Sequence, residues 1–335
     1  MKAYRIEKYI GPAGLRLVEE ADPASPVGRQ VVVRIRATSI NNRDLSDLHG
    51  KFGLPLDHIP MCDGAGEVVA VGPDVTRVRP GQRVAAIFHR NWIAGDPPRD
   101  LKVLGRGAEK NDGMLAECTL TDESELVLLP EHLSFEEGAT LPCAGVTAWY
   151  ALFGKDTLRP GQTVLVQGTG GVSIFALQLA RAVHARVIAT TTTPAKAQAL
   201  RRLGAESVID ASNGVDWSGA AIEAAGPAGI DLVVDIGGAA TLEKSINAVL
   251  PRGRISLVGA RFEPLTGISG LFMARGLHLN TIRVGSREHF EHMNQAISAA
   301  GIRPVIDRVF EFADAPAAFE YFASAGHVGK VVIRC

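Results

Sequence analysis

The chain has 335 residues, 46% hydrophobic and 21% charged, enough for one large domain or two medium ones with a sizeable core. Its formal net charge of −1 gives no electrostatic case for nucleic acid or an anionic membrane surface as partner. No apolar run approaches the ~20 residues needed to span a bilayer. Lys2, Arg5, Glu7 and Lys8 within the first ten residues are unlike a signal peptide. The four cysteines, Cys62, Cys118, Cys143 and Cys335, form no C-x-x-C pair, so no disulfide framework is expected and a reducing cytoplasm is.

In chain order, the first ~125 residues read as β-rich. Residues 31–36 (VVVRIR) predict a strand, residues 66–72 a second one followed by the turn Gly72-Pro73-Asp74, and residues 79–85 a turn entering a third. Residues 90–112, polar and rich in Gly and Pro, predict a long surface loop. From Ser134 strands alternate with helices. Strands are expected at 164–167, 186–190, 207–210, 230–235, 254–258 and 279–284, with helices at 172–182, 194–203, near 216–224 and at 239–249. Six strands joined by crossover helices imply an α/β fold with a doubly wound parallel sheet. After Ser286 one more helix and a terminal strand at 330–334 are expected.

The segment 163–173 (TVLVQGTGGVS) joins a strand to a helix through Gly168, Gly170 and Gly171. Glycines at such a junction let a pyrophosphate approach the backbone, and the helix N-terminus meets it with free N–H groups. Ser173 stands where a third Gly or Ala is usual and is small enough for close helix–strand packing. Gly168, Gly170, Gly171 and Val172 are therefore candidate dinucleotide contacts. A glycine-rich turn that binds nothing is the bland alternative.

The next strand ends in 189–193 (ATTTT), with no acid to hold ribose hydroxyls or repel a 2′-phosphate. Thr191, Thr192 and Lys196 can pair a 2′-phosphate, which favours NADP(H) over NAD(H). Alternatively Thr192 or Thr193 caps a helix with Pro194 in its first turn and Lys196 is solvated; the two readings are compatible. Val258 and Gly259 end one later strand, Val284 and Ser286 end another, and Gly237 follows a third, all at the carboxyl edge where ligands bind.

The segments 39–44 (SINNRD), 63–69 (DGAGEVV), 141–148 (LPCAGVTA) and 327–332 (HVGKVV) together resemble the medium-chain dehydrogenase/reductase superfamily. The resemblance covers essentially the whole chain. It implies a GroES-like (chaperonin-10-like) catalytic domain at 1–125 and 286–335 and a Rossmann domain at 126–285. It also implies a homodimer or homotetramer, Thr147 facing the nicotinamide, and Lys330 as a phosphate or ribose contact, unless Lys330 is merely a solvated strand lysine.

Zinc-using members hold a catalytic metal at the positions of Asn41, Cys62 and Cys143 here. A neutral amide is a poor Zn²⁺ ligand. Cys62 and Cys143 then read as small buried hydrophobes, with an odd two-thiol, one-carboxylate site including Asp63 as the alternative. No cysteine lies between Cys62 and Cys118, so the resemblance implies no structural zinc. The expectation is the zinc-free branch, reducing quinones or α,β-unsaturated carbonyls. An alcohol dehydrogenase or carbonyl reductase acting on an aldehyde or ketone is the enzyme rival. A non-catalytic nucleotide-binding structural or sensing protein is the rival from another class.

Without a metal, hydrogen-bond donors must stabilise the developing oxyanion. Asn41 is the first candidate, and also a cofactor contact; Asn42 is the second. Turn formation by the Asn side chains is the alternative for both. Asp44, paired with Arg43, is a minor candidate, or braces a loop. His49 is a candidate proton donor, or a surface or packing residue.

Overall fold

The computed structural model describes residues 1–101, 105–108, 112–258 and 269–335. These form two compact units, 1–146 with 284–335, and 147–283. The expected division at 125/126 falls earlier in the chain. Residues 126–146 stay with the first unit because the strand Leu126–Leu128 closes its sheet and the following helix packs on that sheet.

The first unit opens with a hairpin of β1 (Lys2–Ile6) and β2 (Leu15–Glu19). It continues through β3 (Gln30–Ser39), helix α1 (Asn42–Leu48), β4 (Ala65–Val71), β5 (Arg83–Ala86), β6 (Cys118–Asp122), β7 (Leu126–Leu128) and helix α2 (Phe135–Ala139). Helix α2 starts where it does because of a reciprocal cap. The Ser134 amide donates to the Glu137 carboxylate at 2.7 Å, and the Glu137 amide donates to the Ser134 hydroxyl at 3.1 Å. A single π-turn follows at Leu141–Gly145.

The second unit runs from helix α3 (Val146–Phe153) through β8 (Thr163–Gln167), α4 (Gly171–Ala182), β9 (Arg186–Thr191), α5 (Ala197–Arg202), β10 (Ser207–Asp210) and α6 (Ser218–Ala225). It continues with β11 (Leu232–Asp235), α7 (Leu242–Ala248), β12 (Arg254–Val258), α8 (Gly270–Ala274) and β13 (His278–Ile282). The sheet order is β10-β9-β8-β11-β12-β13, every neighbouring pair parallel. Numbered within the sheet, this is 3-2-1-4-5-6, the doubly wound Rossmann order, with its switch point between β8 and β11. The central strands are buried along their whole length, with apolar middles, as two helix-covered faces require: all five residues of β8 and all four of β11 are buried.

The chain then returns to the first unit with α9 (Arg287–Ala300), β14 (Ile306–Glu311), α10 (Ala315–Ala323) and β15 (Lys330–Arg334). There β15 pairs β3 antiparallel and β14 parallel, completing the order β14-β15-β3-β4-β5-β7 with β6 also on β3. One apolar core ties the two stretches together, Ile6, Val33, Ile35 and Val68 packing with Phe319, Val331 and Ile333.

Several expectations need correcting. The hairpin β1–β2, strand β14 and helix α10 add to the elements expected. The helices expected at 194–203 and 239–249 begin as 3₁₀ turns, Pro194–Lys196 and Gly238–Ala240. The last parallel strand stops at Ile282 because Val284 turns left-handed, at φ 56°. The 90–112 stretch is not a surface loop throughout. Trp92, Arg106 and Ala108 are buried. The Trp92 and Ile93 carbonyls accept from the amides of Arg287 and Glu288 at 3.0 and 2.9 Å, groups that have no partner within α9 itself. Buried Arg106 donates to the Glu125 carboxylate at 2.5 Å.

Candidate functional site

In the second unit the β8–α4 junction is built for close approach. Gly168 has φ 74°, a left-handed conformation that favours glycine, and its amide donates to the Thr190 carbonyl at 2.7 Å. Gly170 caps α4 in an ordinary extended conformation, and a Cβ added there would meet nothing within 4 Å. The space in front of it is open to a ligand. Gly171 and Val172 form the first turn of the twelve-residue helix. Ser173 is fully buried, and its hydroxyl donates to the Gln167 carbonyl at 2.5 Å, tying helix to strand.

A polar network absent from the expectations laces the switch point. Asp235, fully buried at the end of β11, accepts from the amides of Gly237 and Gly238, both at 3.0 Å, and from the Thr241 hydroxyl at 2.6 Å. Its other oxygen accepts from Ser245 at 2.5 Å. Gln167 at the end of β8 donates to the Ser245 hydroxyl at 3.1 Å and accepts from the Ile236 amide at 3.2 Å. Gly237 is thus held by Asp235. The polar-after-apolar ends of β8 and β11 were the available signal.

At the end of β9, Thr191 is buried and its hydroxyl accepts from the Thr193 amide at 3.1 Å. Thr193 occupies the cap position of the next turn without a side-chain cap bond, so the hydroxyl that orders this turn is that of Thr191, not Thr192 or Thr193. Thr192 is exposed, and Lys196 is half-buried in the first turn. Thr147 is buried near the start of α3, and Val258 is the last residue of β12. Gly259 lies outside the described residues.

In the first unit, three distant segments converge on Asp63, which is fully buried. One carboxylate oxygen, Oδ2, accepts from Ser39 Oγ at 2.8 Å and Asn41 Nδ2 at 2.9 Å, with Lys330 Nζ at 3.4 Å. The other, Oδ1, accepts from the Cys143 amide at 2.9 Å and faces Cys62 Sγ at 3.7 Å. Lys330, 2% exposed, also donates to Asn41 Oδ1 at 2.6 Å and to the Ile40 carbonyl at 2.9 Å. It is therefore not a solvated strand lysine: all three ammonium hydrogens have protein acceptors. Met61, just before the thiol, is left-handed at φ 74°, a strained conformation of the kind that clusters at functional sites.

Asn41 is oriented by these contacts. Its carbonyl oxygen faces the ammonium, so its amide nitrogen faces the carboxylate. The second N–H makes only long contacts, 3.4 Å to the Ser39 carbonyl and 3.5 Å to Cys62 Sγ. Asp44 is buried and its carboxylate accepts from the Asn41 backbone N–H at 2.8 Å and from Arg43 at 3.0 Å. Burial pushes its carboxyl pKa up, with Arg43 opposing. Arg43 lies over the rings of Phe52 and Phe88, 5.7 and 5.8 Å from their centroids. Its Nη2 is buried with no hydrogen-bond partner among the described residues.

The other candidates lie apart from this cluster. Asn42 is exposed on the first turn of α1. His49 is exposed at the far end of α1, about 12 Å along the helix from Asn41 at 1.5 Å per residue, with its ring against Gly11. Ser286 caps α9, its hydroxyl accepting from the His289 amide at 3.2 Å. Val284 is buried beside it.

Cys62, Asp63 and Cys143 could be asked to hold a metal, since their donor atoms lie within 4.8 Å of one another. Their chemistry fits a catalytic zinc poorly. Burial pushes the Cys62 thiol up, away from the thiolate a metal needs. Both Asp63 oxygens already accept from protein donors, and an ammonium stands beside them. Asn41 at the remaining position is turned with its N–H groups toward the cluster.

Comparison with known proteins agrees with this architecture. The family described as alcohol dehydrogenase GroES-like domain matches residues 28–131, and that described as zinc-binding dehydrogenase matches residues 171–299. A zinc-type alcohol dehydrogenase-like protein of Schizosaccharomyces pombe is 38% identical over 91% of this chain and 90% of its own length. A quinone oxidoreductase of Pseudomonas aeruginosa is 31% identical over 99% of both. Among solved structures, an NAD-dependent alcohol dehydrogenase superposes with a TM-score of 0.90 at 29% identity, covering 100% of both chains. A quinone oxidoreductase of Pseudomonas syringae superposes at 0.81 with 26% identity, covering 100% of this chain and 99% of that one. The chain belongs to the medium-chain dehydrogenase/reductase superfamily, whose members are oxidoreductases that bind a nicotinamide cofactor.

Proposed function

We propose that the protein is a zinc-independent, NADPH-preferring reductase of quinones or α,β-unsaturated carbonyl compounds. The observation that carries this reading is Asn41, held by Lys330 and Asp63 with one weakly engaged N–H. An amide pre-oriented in this way can donate to an oxygen on which charge develops, without a Lewis acid. NADPH, when bound, supplies the hydride. Lys330 fixes which end of the Asn41 amide faces the cluster, and Asp63 holds the ammonium. Arg43 Nη2 offers a second donor close by in sequence. The quinone oxidoreductase relatives support the substrate class. The NADPH preference rests on the acid-free end of β9 and on Lys196.

A second reading, an alcohol dehydrogenase or carbonyl reductase with an atypical metal site, is favoured by the Cys62, Asp63 and Cys143 donors. One kinetic experiment separates the two: NADPH and NADH consumption against a panel of quinones, enones, aldehydes and ketones, with and without a chelator, alongside metal analysis. The proposal expects enone or quinone turnover indifferent to chelation, and a KM for NADPH that rises in Lys196→Ala while that for NADH does not. Stoichiometric zinc lost together with activity would sink it, as would turnover restricted to alcohols with NAD⁺.

A further inference from the structure

The thiols of Cys62 and Cys143 meet in the first unit without any role in the chemistry proposed above. Their sulfurs, with an Asp63 oxygen, lie within 4.8 Å of one another, although the two residues are 81 positions apart (143 − 62). The two differ in access. Cys62 is fully buried, whereas Cys143 is partly exposed on the π-turn Leu141–Gly145. The Cys143 amide is tethered to Asp63 at 2.9 Å, which keeps its turn beside the buried thiol.

We infer that Cys62 and Cys143 are an oxidant-sensitive thiol pair that a hydroperoxide converts to a disulfide. The accessible sulfur of Cys143 attacks the peroxide O–O bond, which breaks; Cys143 becomes a sulfenic acid and hydroxide leaves, taking up the thiol proton as water. The Cys62 thiol then attacks the sulfenic sulfur, the S–O bond breaks, and a second water leaves. Overall two thiols lose two electrons and two protons, and one hydrogen peroxide is reduced to two waters. The S–S bond of about 2.05 Å draws the two segments closer than they stand in the dithiol. Cys62 Sγ leaves its 3.5 Å contact with Asn41, and the Cys143 turn shifts against Asp63. Oxidation therefore reaches the polar cluster directly, and reduction by a dithiol restores it.

The test is stepwise hydrogen peroxide treatment of the full chain, followed by non-reducing peptide mapping and by activity before and after dithiothreitol. The expected product is a peptide joining Cys62 to Cys143 and a loss of 2 mass units in the intact chain. Its yield should track an activity loss that dithiothreitol reverses. Cys62→Ser should convert the response to irreversible over-oxidation of Cys143, each variant being scored against its own untreated activity. Cys118→Ser with Cys335→Ser should respond as the parent does. The mapping is made on the unmodified sequence, so it stands even if a cysteine variant folds poorly. A cross-link involving Cys118 or Cys335 instead, or activity loss with Cys62 still a free thiol, would overturn the inference.

Discussion

At the scale of single residues, the buried ammonium of Lys330 explains most of the site's order. An ammonium so deeply placed is tolerated only where acceptors surround it, and Asn41, Ile40 and Asp63 supply them. Removing either partner of such a pair leaves an uncompensated charge, at a cost of about 3–5 kcal/mol. Lys330→Met and Asp63→Asn should each lower the unfolding free energy by roughly that amount. The double variant should lose clearly less than the sum, because the second change relieves what the first leaves unpaired. Urea unfolding of the four proteins measures the cycle, and strict additivity would show that the two groups do not act as a pair. Which residues matter was legible in part. Asn41, Cys62 and Cys143 stand out by what they replace or repeat, but Asp63 as the hub does not. A carboxylate followed by Gly64 reads as a turn. Only the approach of Ser39, Cys143 and Lys330 from distant segments reveals what it holds.

At the scale of elements, periodicity found the strands of the parallel sheet. It found β8, β9, β10, β11 and β12 nearly to the residue. It missed β14, whose burial runs half-buried, exposed, exposed, exposed, half-buried, exposed, a pattern without the alternation that marks a half-buried strand. It missed α10, which begins at Ala315 after a 3₁₀ turn, although Asp314 at the cap position and Pro316 in the first turn are helix-start residues. The loop at 90–112 misled for a different reason. Its anchors are the first amides of α9, nearly 200 residues later, and no local pattern encodes them. The β8–α4 junction was legible because its glycines answer a backbone requirement that is local. It also permits a clean separation of fold from ligand. A Cβ at Gly170 meets no protein atom within 4 Å and needs no unusual φ, so Gly170→Val should unfold at a temperature close to the parent's. Pyrophosphate needs that space, so the same variant should bind NADPH at least ~10-fold more weakly in a fluorescence titration. Unchanged binding would mean that the phosphates lie elsewhere.

At the scale of the molecule, the change from a β-rich stretch to a parallel α/β one follows from composition and period, whereas the return of the last stretch to the first unit is what the family resemblance implies. The order of strands within each sheet does not follow from composition and period, since it depends on which apolar faces meet. The stability of the first unit also carries a titration that no motif announces. His58 is nearly buried, with Nε2 2.9 Å from an Asp47 oxygen and Nδ1 2.8 Å from the Pro55 carbonyl. Both contacts are to acceptors, so the ring is best accommodated with a proton on each nitrogen. Burial disfavours the imidazolium, but the Asp47 hydrogen bond and charge, the Pro55 carbonyl and more distant Asp112 outweigh it, raising the pKa above 6.5. The folded state therefore binds this proton more tightly than the unfolded chain. Its stabilisation is complete below pH 6.5 and is lost as pH rises through the folded value. Loss of the proton also leaves Asp47, whose Oδ1 already has no hydrogen-bond partner among the described residues, facing a neutral ring. Urea midpoints taken from pH 5.5 to 9 should fall across that window in the parent. His58→Gln keeps a donor toward Asp47 but cannot titrate, so its midpoint should run flatter over the same range, with the gap between the two proteins widest at the acid end. Parallel curves would remove His58 as the source.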